Sequence, residues 1–327
     1  MELRTVVKVY PSPFRITYSD PVMFIGSCFA DSIGRRMEMG RMPVMINPAG
    51  TVYNPLSVVN TLDFVVSGRM ISKEELFSQN GKWVSFNHYT DFSSDDPDEV
   101  VARINARTSE AHSFIKNAGL LFVTFGTARI YREKQSGRVV SNCHKVPLSH
   151  FENELLKVND IIKPWSNWLD QLNSRFPSLK VVFTISPIRH LKDGAHGNQL
   201  SKSTLFLAVE ELLKHKSCPG YFPAYEIMMD DLRDYRFYDE DMLHLSSSAV
   251  NYIWDSFADC YFDSKVKAVW NEVSKIIKAR NHRFIGSSDS GRRLFAEGMI
   301  KQISAMETKV PSIDLSAERI YFLSLLK

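Results

Sequence analysis

A hydroxyl and a thiol stand side by side at Ser27 and Cys28, within the stretch FIGSCFADSIG that runs from Phe24 to Gly34. A short apolar run precedes them, and Phe29, Ile33 and Met37 follow at the spacing of one helix face. A serine at such a strand-to-helix junction sits at the positive end of a helix dipole, beside amide N–H groups that no helical carbonyl reaches. It can attack a carbonyl while neighbouring amides hold the developing oxyanion. It can equally be a helix N-cap and nothing more. Cys28 is a second nucleophile if the helix end lowers its pKa. Adjacent side chains at a junction point different ways, however, so a Ser27 facing a cleft leaves Cys28 to the core as a small hydrophobe.

A serine nucleophile needs a base. Among the nine histidines, His244 has a distinctive setting in YDEDMLHLS, Tyr238 to Ser246, where Asp241 lies three residues before it. In a turn leading into a helix, that spacing brings a carboxylate to Nδ1 and leaves the other ring nitrogen to take a proton. The plain alternative is an acidic surface loop with one incidental histidine. His144, Arg189, His190 and His196 gather near strand ends, but their spacing matches no zinc pattern. Arg189 and His190 are candidates to contact an acidic or polar part of a substrate, or to brace their loop. Asp230, Asp231 and Asp234 read as a solvated turn, and no carboxylate pair is singled out for glycoside chemistry.

Strands alternating with helices must position these groups. Apolar runs at Pro21–Ile25, Pro43–Ile46, Leu120–Phe125, Leu179–Ile185 and Tyr221–Met228 read as strands. Helical patterns fall at Leu56–Val66, Pro97–Ala118, Asn159–Phe176 and Asn198–Lys216, and in the segment capped by Ser246. Asn80-Gly81 marks a turn, and Ile130–Arg132 with Arg138–Ser141 reads as a hairpin. The pattern predicts an α/β layer with a mainly parallel sheet, whose ligands sit at the carboxyl ends of the strands. Gly26-Ser27, Gly50, Gly126-Thr127 and Ser186-Pro187 occupy such ends.

Composition excludes some classes. The 327 residues are 44% hydrophobic and 24% charged, with a net charge of +3. Such a balance suits a globular protein and gives no reason to invoke nucleic acid or an anionic membrane. The basic run Lys278–Arg283 is short and reads as a solvated helix end. Four widely spaced cysteines form no CxxC pair, so neither a metal knuckle nor a redox motif is predicted. The N-terminal segment lacks a secretory apolar core, and no run approaches the ~20 residues that span a bilayer. The expected location is cytoplasmic, with reduced thiols.

FIGSCFADSIG resembles the opening motif of the GSCFA family, a branch of the SGNH/GDSL hydrolase superfamily. NPAGTVYNP, VTFGTARIY, SNCHKVP, ISPIRHLKDG and YFPAYEIMMDDLRDYRFYDEDMLHLS resemble that family in the same order. The resemblance covers about Pro21 to Tyr261. It implies a three-layer α/β/α fold with a flavodoxin-like sheet, with Ser27 as nucleophile, His244 as base and Asp241 as orienting acid. In the superfamily, the serine N–H, a glycine N–H after the second strand and an asparagine after the third hold the oxyanion. The resemblance therefore points to Ser27 and Gly50. The third position departs from the superfamily's Gly-x-Asn-Asp, reading Gly126-Thr127-Ala128-Arg129, which leaves Asn142 or Thr127 as the side-chain donor.

The expected function is a serine esterase or acylhydrolase that needs no cofactor or metal. Superfamily analogy suggests an O-acetyl or short acyl group on a carbohydrate-like alcohol. An acyltransferase using the same site, and an inactive binding protein for an acylated ligand, are the alternatives. The expected organisation is a hydrolase-like domain over 1–285 and a C-terminal helical arm over 286–327 that packs on it, after a glycine- and serine-rich break at Gly286–Gly291.

Overall fold

The computed structural model describes residues 5–280 and 289–326. The strands, in chain order, are β1 (Val22–Gly26), β2 (Val44–Ile46), β3 (Phe77–Gln79), β4 (Lys82–Val84), β5 (Leu120–Phe125), β6 (Arg129–Glu133), β7 (Val139–Val140), β8 (Phe151–Leu155), β9 (Lys180–Ile185) and β10 (Gly220–Phe222). The helices are α1 (Cys28–Met39), α2 (Pro55–Ser67), α3 (Pro97–Ile115), α4 (Val158–Arg175), α5 (Gly194–Leu212), the single turn α6 (Ala224–Glu226), α7 (Ser247–Tyr261), α8 (Ser264–Arg280), α9 (Asp289–Lys309) and α10 (Ser316–Ser324).

Five strands form a parallel sheet in the order β10-β9-β5-β1-β2. Numbered within the sheet, that is the flavodoxin-like order 2-1-3-4-5, so strand order reverses between β1 and β5. The two-residue period of a strand divides the core between two faces. Val22, Phe24, Leu120, Phe122, Val182 and Phe222 point to one face, where α1, α7 and α8 cover them. Met23, Ile25, Leu121, Val123, Val181 and Phe183 point to the other, under α2, α4 and α5. A three-layer α/β/α fold results, as anticipated. Ala296, Ile303 and Met306 of α9 and Phe322 of α10 belong to the first of these cores. Glu318 of α10 is fully buried and pairs with Arg41, after α1, and with Arg280 of α8.

Two small sheets stand at the carboxyl edge of the large one. Asn80 and Gly81, both at positive φ, make the tight turn that joins β3 to β4. The chain after β5 enters the antiparallel sheet β7-β6-β8 before α4 returns to the core.

Some expectations need correction. Tyr221–Met228 is not one strand: β10 ends at Phe222, and beyond Pro223 the chain coils into α6 and a π-turn at Ile227–Asp231. β8 has no apolar alternation to announce it, since FENEL carries two glutamates on a half-exposed strand. Residues 281–283 of the basic run and 286–288 of the expected break lie outside the described residues. Among the described residues, no helix is long and apolar enough to cross a membrane.

Candidate active site

β1 ends at Gly26, whose φ of +134° and contact with β5 admit no side chain: a Cβ there would lie 2.0 Å from Thr124 O. The next residue, Ser27, caps α1 in extended conformation, its Oγ accepting the Phe29 N–H at 3.3 Å. It is 1% exposed and lies in the wall of a cavity of about 830 Å³. Capping and facing a cavity thus coexist in one hydroxyl.

The loops that follow β1, β2, β5 and β9 all reach this cavity, supplying Cys28, Tyr53, Asn54, Thr127 and the segment Ile188–Asp193. The small sheets wall its outer side with Lys82, Val84, Arg129, Tyr131 and Val140. Leu243 and His244 close it from the loop before α7. The cavity therefore sits where a parallel sheet with this strand order places ligands.

His244 is oriented by Asp241. One carboxylate oxygen accepts the Leu243 and His244 N–H groups at 2.9 and 2.8 Å, and the other meets His244 Nδ1 at 2.5 Å. The imidazole bond, followed by the two amides, holds the Asp241 carboxyl down at about 2. An ionised carboxylate only accepts, so in the neutral ring Nδ1 carries the proton and Nε2 keeps its lone pair. No hydrogen bond joins Ser27 Oγ to His244 among the described residues. Catalytic contacts of this kind commonly tighten only when substrate is bound.

The expected oxyanion donors fare differently. The Ser27 N–H donates to Thr124 O at 3.2 Å, and the Gly50 N–H to Asn47 O at 2.8 Å. Gly50 does not line the cavity; its turn packs against Tyr89. Thr127 and Asn142 do line it, but their side chains are engaged. Thr127 Oγ1 pairs with Ser201 Oγ at 2.9 Å and accepts Arg129 N–H at 3.1 Å. Asn142 accepts His144 N–H at 2.9 Å and donates to Thr90 Oγ1 at 3.4 Å. By contrast, the Tyr53 and Asn54 N–H groups, at the head of α2, have no acceptor among the described residues.

His190 lies deeper than its neighbour Arg189. A methyl group placed on Gly126 would be 3.2 Å from His190 Nε2 and 3.4 Å from Ser27 Cβ, so imidazole and serine flank one point. Nε2 is buried without a hydrogen-bond partner. Burial, then the Lys202 charge, pushes the imidazole down to about 4, which keeps it neutral near pH 7. Arg189 instead donates to Tyr238 Oη at 3.1 Å. Cys28 is half-buried: it packs on the core yet also lines the cavity, its Sγ 3.5 Å from Tyr53 Oη. The expectation that it faces only the core is corrected.

Lys202 is the residue that motif reading passed over. It is fully buried, with Nζ donating to Gly126 O at 2.7 Å and to Ser186 O at 2.6 Å. It thereby ties together the ends of β5 and β9, directly behind Ser27 and His190. A signal existed: Lys202 shares its helix face with Leu205, Val209 and Leu212, all buried. No group of three or more His, Cys, Asp or Glu side chains that could hold a metal occurs among the described residues.

A flavodoxin-like sheet with a serine after its first strand and an Asp-x-x-His loop before its closing helix defines the class of protein. The family model of the GSCFA family matches residues 21–257, and the chain belongs to that family. A search of curated proteins finds no significant match.

Proposed function

We propose that the protein is a serine esterase or acylhydrolase. The observation that carries this reading is the convergence of Ser27 and an Asp241-oriented His244 on one cavity at the sheet's switch point. Ser27 Oγ attacks the ester carbonyl as its proton passes to His244 Nε2. Collapse of the tetrahedral intermediate breaks the bond to the alcohol, which takes that proton and leaves. Water then attacks the acyl-serine, giving a proton to His244, and release of the acid returns that proton to Ser27 Oγ. Our candidates to hold the oxyanion are the Tyr53 and Asn54 amides, which have no acceptor among the described residues, and the His190 imidazole, whose Nε2 has no partner there; the Ser27 and Gly50 amides would first have to leave their present acceptors. An alcohol in place of water makes the same site an acyltransferase.

A binding protein is the second reading, and the occupied Ser27 Oγ favours it. Labelling with a fluorophosphonate, mapped by mass spectrometry, decides between them. An adduct on Ser27 that disappears in His244→Ala supports the enzyme, whereas a folded protein with no adduct and no ester turnover supports the binding protein.

A further inference from the structure

The cavity wall is strongly cationic. Lys82, Arg129, Lys145, Arg189 and Lys192 line it, and Asp193 is the only carboxylate among the lining residues. Asp193 is already committed to Arg129, at 3.4 Å. The other four cations have no carboxylate within ion-pair distance among the described residues. Two of them are held in place by neutral groups. Arg189 donates to Tyr238 Oη and lies 5.6 Å from the centre of that ring. Lys192 donates to Tyr131 Oη at 2.9 Å. Lys82 and Lys145 are exposed on the outer wall, where like charges steer an incoming anion. The chain as a whole has a net charge of only +3, so this concentration is local.

Asp193, whose charge also acts on Lys192, is the only carboxylate among the lining residues to offset these cations, so the wall as a whole attracts an anion. We infer that the substrate is an anionic ester, whose carboxylate, phosphate or sulfate is bound by Arg189 and Lys192 with Lys82 and Lys145 at the mouth. The inference rests on the hydrolase reading and specifies its substrate class. The acid group belongs either to the alcohol or to the acyl part, and both sources present the same oxygen-borne negative charge to the wall.

Three aryl esters compared at equal leaving-group ability test it: a neutral acetate, an acetate whose alcohol carries a carboxylate, phosphate or sulfate, and a hemisuccinate, whose charge is on the acyl side. The expected result is a kcat/KM roughly tenfold or more higher for at least one anionic ester than for the neutral one, a preference that shrinks as salt rises. Which anionic ester wins identifies the side that carries the charge. In Lys192→Gln and Arg189→Gln, the ratio of anionic to neutral turnover falls toward one. Turnover of all three esters with equal kcat/KM and a Ser27 adduct overturns the inference and leaves the hydrolase reading standing. No adduct and no turnover of any ester overturns both.

Discussion

The Lys202 ammonium donates to the Gly126 carbonyl at 2.7 Å, from a position with no exposure to solvent. Its second acceptor is Ser186 O, so one buried charge spans two strand ends. Burial pushes this ammonium down to about 7. Lys202→Met leaves two buried carbonyls without donors, each worth about 1–3 kcal/mol. We expect a net loss of about 2–4 kcal/mol in urea unfolding, together with reduced ester turnover, because Gly126 and His190 lose their support. Stability equal to the parent would show that the carbonyls need no ammonium.

Ser27 has two roles that substitution can separate. As the cap of α1 it contributes about 1 kcal/mol, so Ser27→Ala should lower stability by that amount. As nucleophile it governs turnover, which should fall by more than about a thousandfold. His244→Ala should match the activity loss with little change in stability, because its side chain is half-exposed. Denaturant melts and initial rates on the same samples check both. Residual activity above a tenth in either variant would remove that residue from the mechanism.

Asp241 holds the His244 tautomer, and Asp241→Asn should lower kcat by about 10²–10⁴-fold. Because the carboxyl is held at about 2, it remains ionised throughout the working pH range. The acid limb of kcat/KM should therefore carry no contribution from Asp241. A rate profile whose acid limb has slope two would show a second essential base.

Acid stability should be governed by three histidines that burial holds down: His144, and most strongly His88 and His190. His88, 4% exposed, is pushed from 6.5 down to about 4 by burial, and His190 likewise. The unfolded chain binds these protons more readily than the folded one. Their contribution is thus complete above pH 6.5 and is lost as pH falls through about 4. For His88 alone this is on the order of 3 kcal/mol. Urea unfolding at a series of pH values between 7 and 4 should show the decline, and His88→Gln should flatten it. An unchanged slope in that variant would assign acid sensitivity to other groups.

Cys28 shares the cavity with Ser27 but is the weaker nucleophile candidate, since it bonds only Tyr53 Oη. Cys28→Ala should keep turnover within severalfold of the parent; because Cys143 also lines the cavity, a bulky thiol reagent is compared in a Cys143→Ala background, where it should inhibit the protein with Cys28 but not the one with Cys28→Ala. Loss of turnover in Cys28→Ala with retention in Ser27→Ala would reverse the assignment.

The sheet was legible in the sequence because its strands are buried on both faces and read as unbroken apolar runs such as LLFVTF and KVVFTI. Asp241 and His244 were legible because the partners are local, three residues apart. Donor assignments at Gly50, Thr127 and Asn142 depended on where each N–H and side chain points, which spacing does not encode. Gly50 keeps its place after β2, yet its N–H donates to Asn47 O. Lys202 was hidden for a different reason: a charged residue in a helix reads as solvent-facing until its neighbours on the same face are counted. β10 was overextended because Tyr225, Ile227 and Met228 suit strands by composition, while Pro223 turns the backbone out of the sheet.

Glu318 meets Arg41 from 277 positions further along the chain. The turn that carries the polypeptide from the serine's helix into β2 is therefore fastened by a helix made long after it in the order of synthesis. During translation, the nucleophile's scaffold would emerge first and wait, with an open apolar flank and two unanswered guanidiniums, until α10 arrives. Assembly of the reactive centre is in this sense a late event, timed by a segment that never touches it.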